Sequence, residues 1–151
     1  MTPPVLFDTS IYISVLRNAA FAAALRPRYV RDIPFTYVSS VVVQELLAGA
    51  RTPRQRRQVA ALYEPFERVR RIITPSHHVW KEVGRVVALG LEKTPQFRSK
   101  LAAGLLNDIL IALSGRSIGA RVVTGNAQDF RLIQQLRGFA LEVLEPANLA
   151  P

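Results

Sequence analysis

With 151 residues, 49% of them hydrophobic, the chain can bury one sizeable core and is too short for two domains. It contains no cysteine, which excludes disulfides, thiolate nucleophiles and cysteine-held zinc or iron–sulfur centres, so any metal must be held by oxygen or imidazole. Its 20 Lys and Arg outnumber 11 Asp and Glu, and the net charge of +9 favours a polyanionic substrate or an acidic partner.

Pro4-Val5-Leu6-Phe7 reads as a short buried strand, and the hydroxyls of the following Asp8-Thr9-Ser10 can cap a helix from about Ile11 to Arg17. An Ala-rich helical stretch, Asn18 to Leu25, gives way to a basic, proline-broken connector from Arg26 to Pro34 and a strand at Phe35–Val38. Ser39 or Ser40 caps the next helix, which carries Glu45 and ends near Gly49 as its C′ glycine. Thr52-Pro53 pairs a cap with a first-turn proline and opens a helix to about Arg68.

Arg70 to Pro75 predicts another short strand, and Ser76 caps a helix through Trp80, Val83, Val87 and Leu91. Lys93 to Lys100 is a polar connector before an apolar segment that begins at Leu101. There Asn107 starts a helix through Ser117, or one longer helix runs past it. Arg121–Thr124 is a strand ending at Gly125-Asn126, a short helix carries Asp129 and Phe130, and Ala140–Leu144 is the last strand. Strands alternating with helices predict a single α/β domain over residues 1–151, a three-layer α/β/α sandwich whose mostly parallel sheet is covered on both faces. Ligands of such sheets bind beyond the carboxyl ends of the strands. No apolar stretch is long enough to cross a bilayer, and the N-terminus has no signal-like pattern, so a soluble cytoplasmic protein is expected.

Three acids stand out against this frame: Asp8 after Val5-Leu6-Phe7, Glu45 between Val43 and Leu46-Leu47, and Asp108 between Leu105-Leu106 and Ile109-Leu110-Ile111. Apolar flanks draw a carboxylate inward, where it costs several kcal/mol unless paired, hydrogen-bonded or metal-bound. No Lys or Arg lies within three residues of any of them. Brought together the three would repel, and a divalent cation is the simplest remedy. With Asn126 and Asp129 past a later strand, the set offers only hard oxygen ligands, which suit Mg²⁺ or Mn²⁺ better than zinc. Such a cation polarises a phosphoryl oxygen and activates water, so no nucleophilic side chain is needed.

The same segments resemble the PIN domain: Asp8-Thr9-Ser10 after a first strand, Glu45-Leu46 before Gly49, Asn107-Asp108 before Ile111-Ala112, and Thr124-Gly125-Asn126-Ala127-Gln128-Asp129-Phe130. Among PIN proteins the chain is similar to the VapC toxins of bacterial toxin–antitoxin pairs. The resemblance implies a Mg²⁺- or Mn²⁺-dependent endoribonuclease acting on single-stranded or loop RNA, a homodimer, and silencing by a VapB-like antitoxin. It makes Asp8, Glu45 and Asp108 core metal ligands and leaves the last ligand open between Asn126 and Asp129. It also places Ser10 and Thr124 to bond a metal-bound water or orient a carboxylate.

Singly, each acid has an ordinary reading: Asp8 as a turn residue, Asp108 as a first-turn helix acid, Glu45 on a solvated stripe. Four acids in family order outweigh those readings. Arg51, Arg54, Arg56 and Arg57 form the densest basic cluster, either a solvated helix face or a grip on the RNA backbone. His77 and His78 match no metal motif, and most of Tyr12, Tyr37, Tyr63, Phe66 and Trp80 are expected in the core. A phosphatase with a nucleophilic aspartate would want an acid where Ser10 stands. The remaining rivals are a basic RNA-binding protein with a decayed site and a housekeeping RNA-processing PIN nuclease without an antitoxin.

Overall fold

The computed structural model describes residues 2–145. Strand β1 (Val5–Phe7) leads into helices α1 (Thr9–Arg17) and α2 (Ala19–Asp32), then a single 3₁₀ turn, Ile33–Phe35, and β2 (Thr36–Ser39). Helices α3 (Ser40–Gly49) and α4 (Pro53–Arg68) precede the two-residue strand β3 (Ile72–Ile73), which is followed by α5 (His77–Lys93). A short α6 (Phe97–Lys100) and a π-helical turn, Leu101–Leu105, feed α7 (Leu106–Ser117), β4 (Arg121–Thr124), α8 (Ala127–Leu136) and β5 (Ala140–Val143). The five strands are all parallel, in the order β3-β2-β1-β4-β5.

A parallel sheet buried on both faces needs continuous apolar strands rather than alternating ones. Val5, Leu6, Phe7, Val122 and Val123 meet that need, each at most 1% exposed. Ile109, Ile111 and Ala112 of α7 and Phe130 and Ile133 of α8 complete the core without solvent contact. Order reverses at β1: the chain moves outward through β2 and β3, then returns past β1 to β4. That places the topological switch point, where ligands of open α/β sheets bind, between β1 and β4.

Capping side chains set most helix starts. Ser39 caps α3, settling the choice between Ser39 and Ser40, Ser76 caps α5, and Thr52 with Gln55 forms a reciprocal capping box on α4. The cap of α1 is the Asp8 carboxylate itself, which accepts from Ile11 N at 3.4 Å, rather than the hydroxyl of Thr9 or Ser10. Gly49 ends α3 without taking positive φ, so it is no left-handed cap.

The proline-broken connector expected at Arg26–Pro34 is mostly helix, because α2 runs through Pro27 to Asp32. The lost helical hydrogen bond is offset by tertiary anchoring. Leu25 is buried, and Arg28 pairs with Asp32 one turn on and with Glu142 of β5. Arg121 also holds Glu142, at 3.1 Å, so this ion cluster ties α2 to the sheet edge. The expected strand over Arg70–Pro75 shrinks to Ile72–Ile73, because Arg70 takes a left-handed φ of 57° in the preceding turn. Asn107 lies inside α7, and the break sits upstream at Gly104, whose φ of 108° only glycine adopts readily.

Gly90 in α5 lies under the ring of Phe97, which has no solvent exposure, and a Cβ there would fall inside the ring's van der Waals radius. Helix propensity favours alanine by about 1 kcal/mol, but overpacking a closed contact costs about 1–3 kcal/mol. Gly90→Ala is therefore expected to lower the melting temperature by several degrees. A calorimetric scan showing a rise would mean that Phe97 repacks freely.

Candidate active site

Asp8 directly follows β1, and its backbone N–H still bonds Val123 O at 3.0 Å, so its side chain stands at the carboxyl end of two adjacent strands. It is 2% exposed. Ser10 Oγ donates to Asp8 Oδ1 and Thr124 Oγ1 to Asp8 Oδ2, both at 2.6 Å. Burial nevertheless raises the Asp8 carboxyl above its ordinary value, against these hydrogen bonds, and Glu45 adds to the rise. Glu45 sits half-buried on α3, where Thr9 Oγ1 donates to its Oε1 at 2.6 Å. Consecutive hydroxyls after β1 therefore aim two different acids: Ser10 holds Asp8 and Thr9 holds Glu45.

Asp108 occupies the first turn of α7, the helix packed between α3 and α8. Its carboxyl is pushed up to about 8, by burial first and then by Asp8, Glu45 and Asp129, and no hydrogen bond from the described residues opposes the rise. Asn126 caps α8, with its Oδ1 accepting from Asp129 N at 3.4 Å and its Nδ2 donating to Asp129 Oδ2 at 3.0 Å. Lys100 Nζ reaches Asp129 Oδ1 at 2.8 Å. Burial works to raise the Asp129 carboxyl, but the bonds from Lys100 and Asn126 outweigh it and hold the group below its ordinary value.

The charges of Asp8, Glu45 and Asp129 all act on Asp108, and Asn126 bonds Asp129, so these five side chains neighbour one another by the switch-point crevice between β1 and β4. Among the described residues, no three His, Asp or Glu side chains are already arranged as a metal cage. The chemistry of the set still fits a hard divalent cation. Its donors are all oxygen, neighbouring acids raise the carboxyls of Asp8 and Asp108, and among the described residues Asp108 has no hydrogen-bond donor to quiet its charge. Ion binding would complete this cluster and displace the proton that Asp108 holds at neutral pH.

Arg51 precedes α4, and Arg54, Arg56 and Arg57 lie on its first turns. All four are exposed, and none forms an ion pair among the described residues. Gln55 and Gln58 of the same helix line a cleft of about 170 Å³ that they share with Glu45 and Arg17, so the helix that carries the arginines borders Glu45. His77 and His78 are exposed at the start of α5, Tyr12 and Phe66 are buried, and Trp80 is 52% exposed. Thr9 and Lys100 were not singled out by the sequence. Thr9 had a detectable signal, a second hydroxyl beside the one expected to orient an acid; Lys100 had none, since it lies at the end of a polar connector.

Neighbouring acids by the switch point of a five-stranded parallel sheet place the chain among α/β domains whose sites lie at the carboxyl ends of the strands. A family model for the PIN domain matches residues 5–135, and the chain belongs to that family, one of nucleases. No curated protein matches significantly. Among solved structures, the DNA-bound VapBC of Salmonella typhimurium superposes with a TM-score of 0.65 at 21% identity, covering 94% of this chain and 98% of that one. VapBC-1 of nontypeable Haemophilus influenzae gives 0.65 at 18%, covering 92% and 96%. VapBC2 of Rickettsia felis, bound to a promoter DNA fragment, gives 0.58 at 20%, covering 93% and 98%. At such identities the likeness is one of fold.

Proposed function

We propose that this protein is a Mg²⁺- or Mn²⁺-dependent endoribonuclease of the cytoplasm and the toxin of a toxin–antitoxin pair. The observation that carries the reading is the convergence of Asp8, Glu45 and Asp129 on Asp108, which among the described residues has no hydrogen-bond donor. A bound divalent ion would polarise a phosphoryl oxygen and activate water. The chain's own residues do the rest. Ser10 and Thr124 fix the Asp8 carboxylate, Thr9 fixes Glu45, and Asp129 with Asn126 closes the side nearest α8.

The toxin assignment rests on VapBC structures with this fold, covered almost end to end. It adds a VapB-like antitoxin as partner and a homodimer as the working form. No helix among the described residues is long and apolar enough to cross a membrane. Purified protein incubated with total RNA and Mg²⁺ should yield discrete new 5′ ends, which vanish when a small protein encoded beside it is co-purified. Random degradation, or intact RNA, would refute the reading.

If the arginines of α4 grip the RNA backbone, changing Arg51, Arg54, Arg56 and Arg57 together to Gln weakens binding to every sequence alike. It also flattens the plot of log K against log[salt] by up to about 3, since each phosphate contact on a single strand contributes ~0.7. Titrations over a salt series decide the point. An unchanged slope makes the cluster a solvated face.

A further inference from the structure

The acids of the crevice are not equally in need of a cation. Both oxygens of Asp129 are taken, Oδ1 by the Lys100 ammonium at 2.8 Å and Oδ2 by Asn126 Nδ2 at 3.0 Å. Among the described residues Asp108 has no hydrogen-bond donor, and Glu45 has only Thr9. Lys100 is not a loose surface residue brushing past, being 23% exposed against 25% for Asp129.

Its position is set from both sides. Upstream, Phe97 is locked under α5 against Gly90; downstream, the π-helical turn and the left-handed Gly104 redirect the chain into α7. One continuous segment therefore delivers an ammonium and the Asp108 carboxylate to the same crevice. The bend at Gly104 lets both face inward.

We propose that Lys100 is the built-in second cation of this site. It neutralises Asp129 and withdraws it from ligation, so that the chain takes one divalent ion, at Asp8, Glu45 and Asp108, rather than two. Two-metal phosphodiester hydrolases set their ions ~3.5–4 Å apart to neutralise both sides of the reacting phosphate. A lysine ammonium is a compact point charge that binds phosphate oxygens and can stand on one of those sides. Asp129 then positions Lys100 rather than an ion. This inference rests on the proposed metal site and refines it.

The test counts Mn²⁺ ions on the full chain by isothermal titration and by the loss of free-Mn²⁺ electron paramagnetic resonance signal. Wild type should bind one ion per chain and Lys100→Gln two. Lys100→Arg should keep one, and Lys100→Gln with Asp129→Asn should return to one. In the wild-type background Asp129→Asn should leave Mn²⁺ affinity within about twofold, which tests the idea even if Lys100→Gln fails to fold. Two ions on wild type, one on folded Lys100→Gln, or a tenfold weaker Mn²⁺ affinity in Asp129→Asn would each overturn it while leaving the metal site standing. No Mn²⁺ on wild type would overturn the metal site itself, and the inference with it.

Discussion

Asp108→Asn is expected to abolish RNA cleavage, by about a thousandfold or more, equivalent to ~4 kcal/mol of barrier. In metal-free protein the same change should remove much of a loss of stability that wild type suffers as pH rises. The folded carboxyl sits near 8, against about 3.9 in an unfolded chain, so the folded state holds its proton more tightly. That contribution is complete below pH ~4 and disappears as pH climbs through 8. At ~1.4 kcal/mol per pKa unit, with half set aside for solvent screening, it amounts to ~3 kcal/mol. Asparagine mimics the protonated acid, so the melting curves of variant and wild type should coincide near pH 4 and separate toward pH 9, the variant being the more stable. Parallel curves at every pH would show that Asp108 does not feel the neighbouring acids, and wild-type turnover would remove it from the site.

Divalent ions should act in the opposite sense on wild type. An ion that binds only the folded chain adds ~2.7 kcal/mol at a hundred times its dissociation constant, raising the melting temperature by roughly 5–10 °C in a domain of this size. Because the ion must expel the Asp108 proton, the rise should be small at pH 6 and largest above 8. Mg²⁺ and Mn²⁺ should both produce it, zinc should substitute poorly for an all-oxygen donor set, and Asp108→Asn should blunt it. EDTA should stop cleavage. Scanning fluorimetry with each ion across pH, paired with a cleavage assay, separates the outcomes. A melting temperature indifferent to both ions, with EDTA-resistant cleavage, would leave the acids without the role assigned to them.

Asp8, Glu45 and Asp108 stood out in the sequence because each is a charge embedded in a run of apolar residues, whereas Asp129 was marked only by its place after a strand and by the family resemblance. The strand–helix alternation was legible for the same reason: Val5-Leu6-Phe7 and Val122-Val123 can only be buried. What escaped was relational. Pro27 signals a helix break, yet α2 runs through it, anchored by buried Leu25 and by Arg28, which finds Asp32 and Glu142 in the folded chain. Lys100 meets Asp129 across 29 residues, a pairing that no periodicity encodes. Asp8 reads as either a turn residue or a functional acid, and the structure shows that its carboxylate caps α1 while also standing in the crevice.

The bond from Thr124 to Asp8 joins residues 116 positions apart. During synthesis at about 5–20 residues per second, Asp8 waits about 6–23 seconds for the hydroxyl that orients it. Glu45 and Asp108 join in the interval, but β1 cannot acquire its β4 neighbour until Arg121–Thr124 has emerged. A ribosome-bound fragment ending before β4 would carry three of the acids without the strand that aligns the first of them. The placement of β1 between an earlier and a later partner thus acts as a clock, postponing assembly of the crevice until β4 has been made.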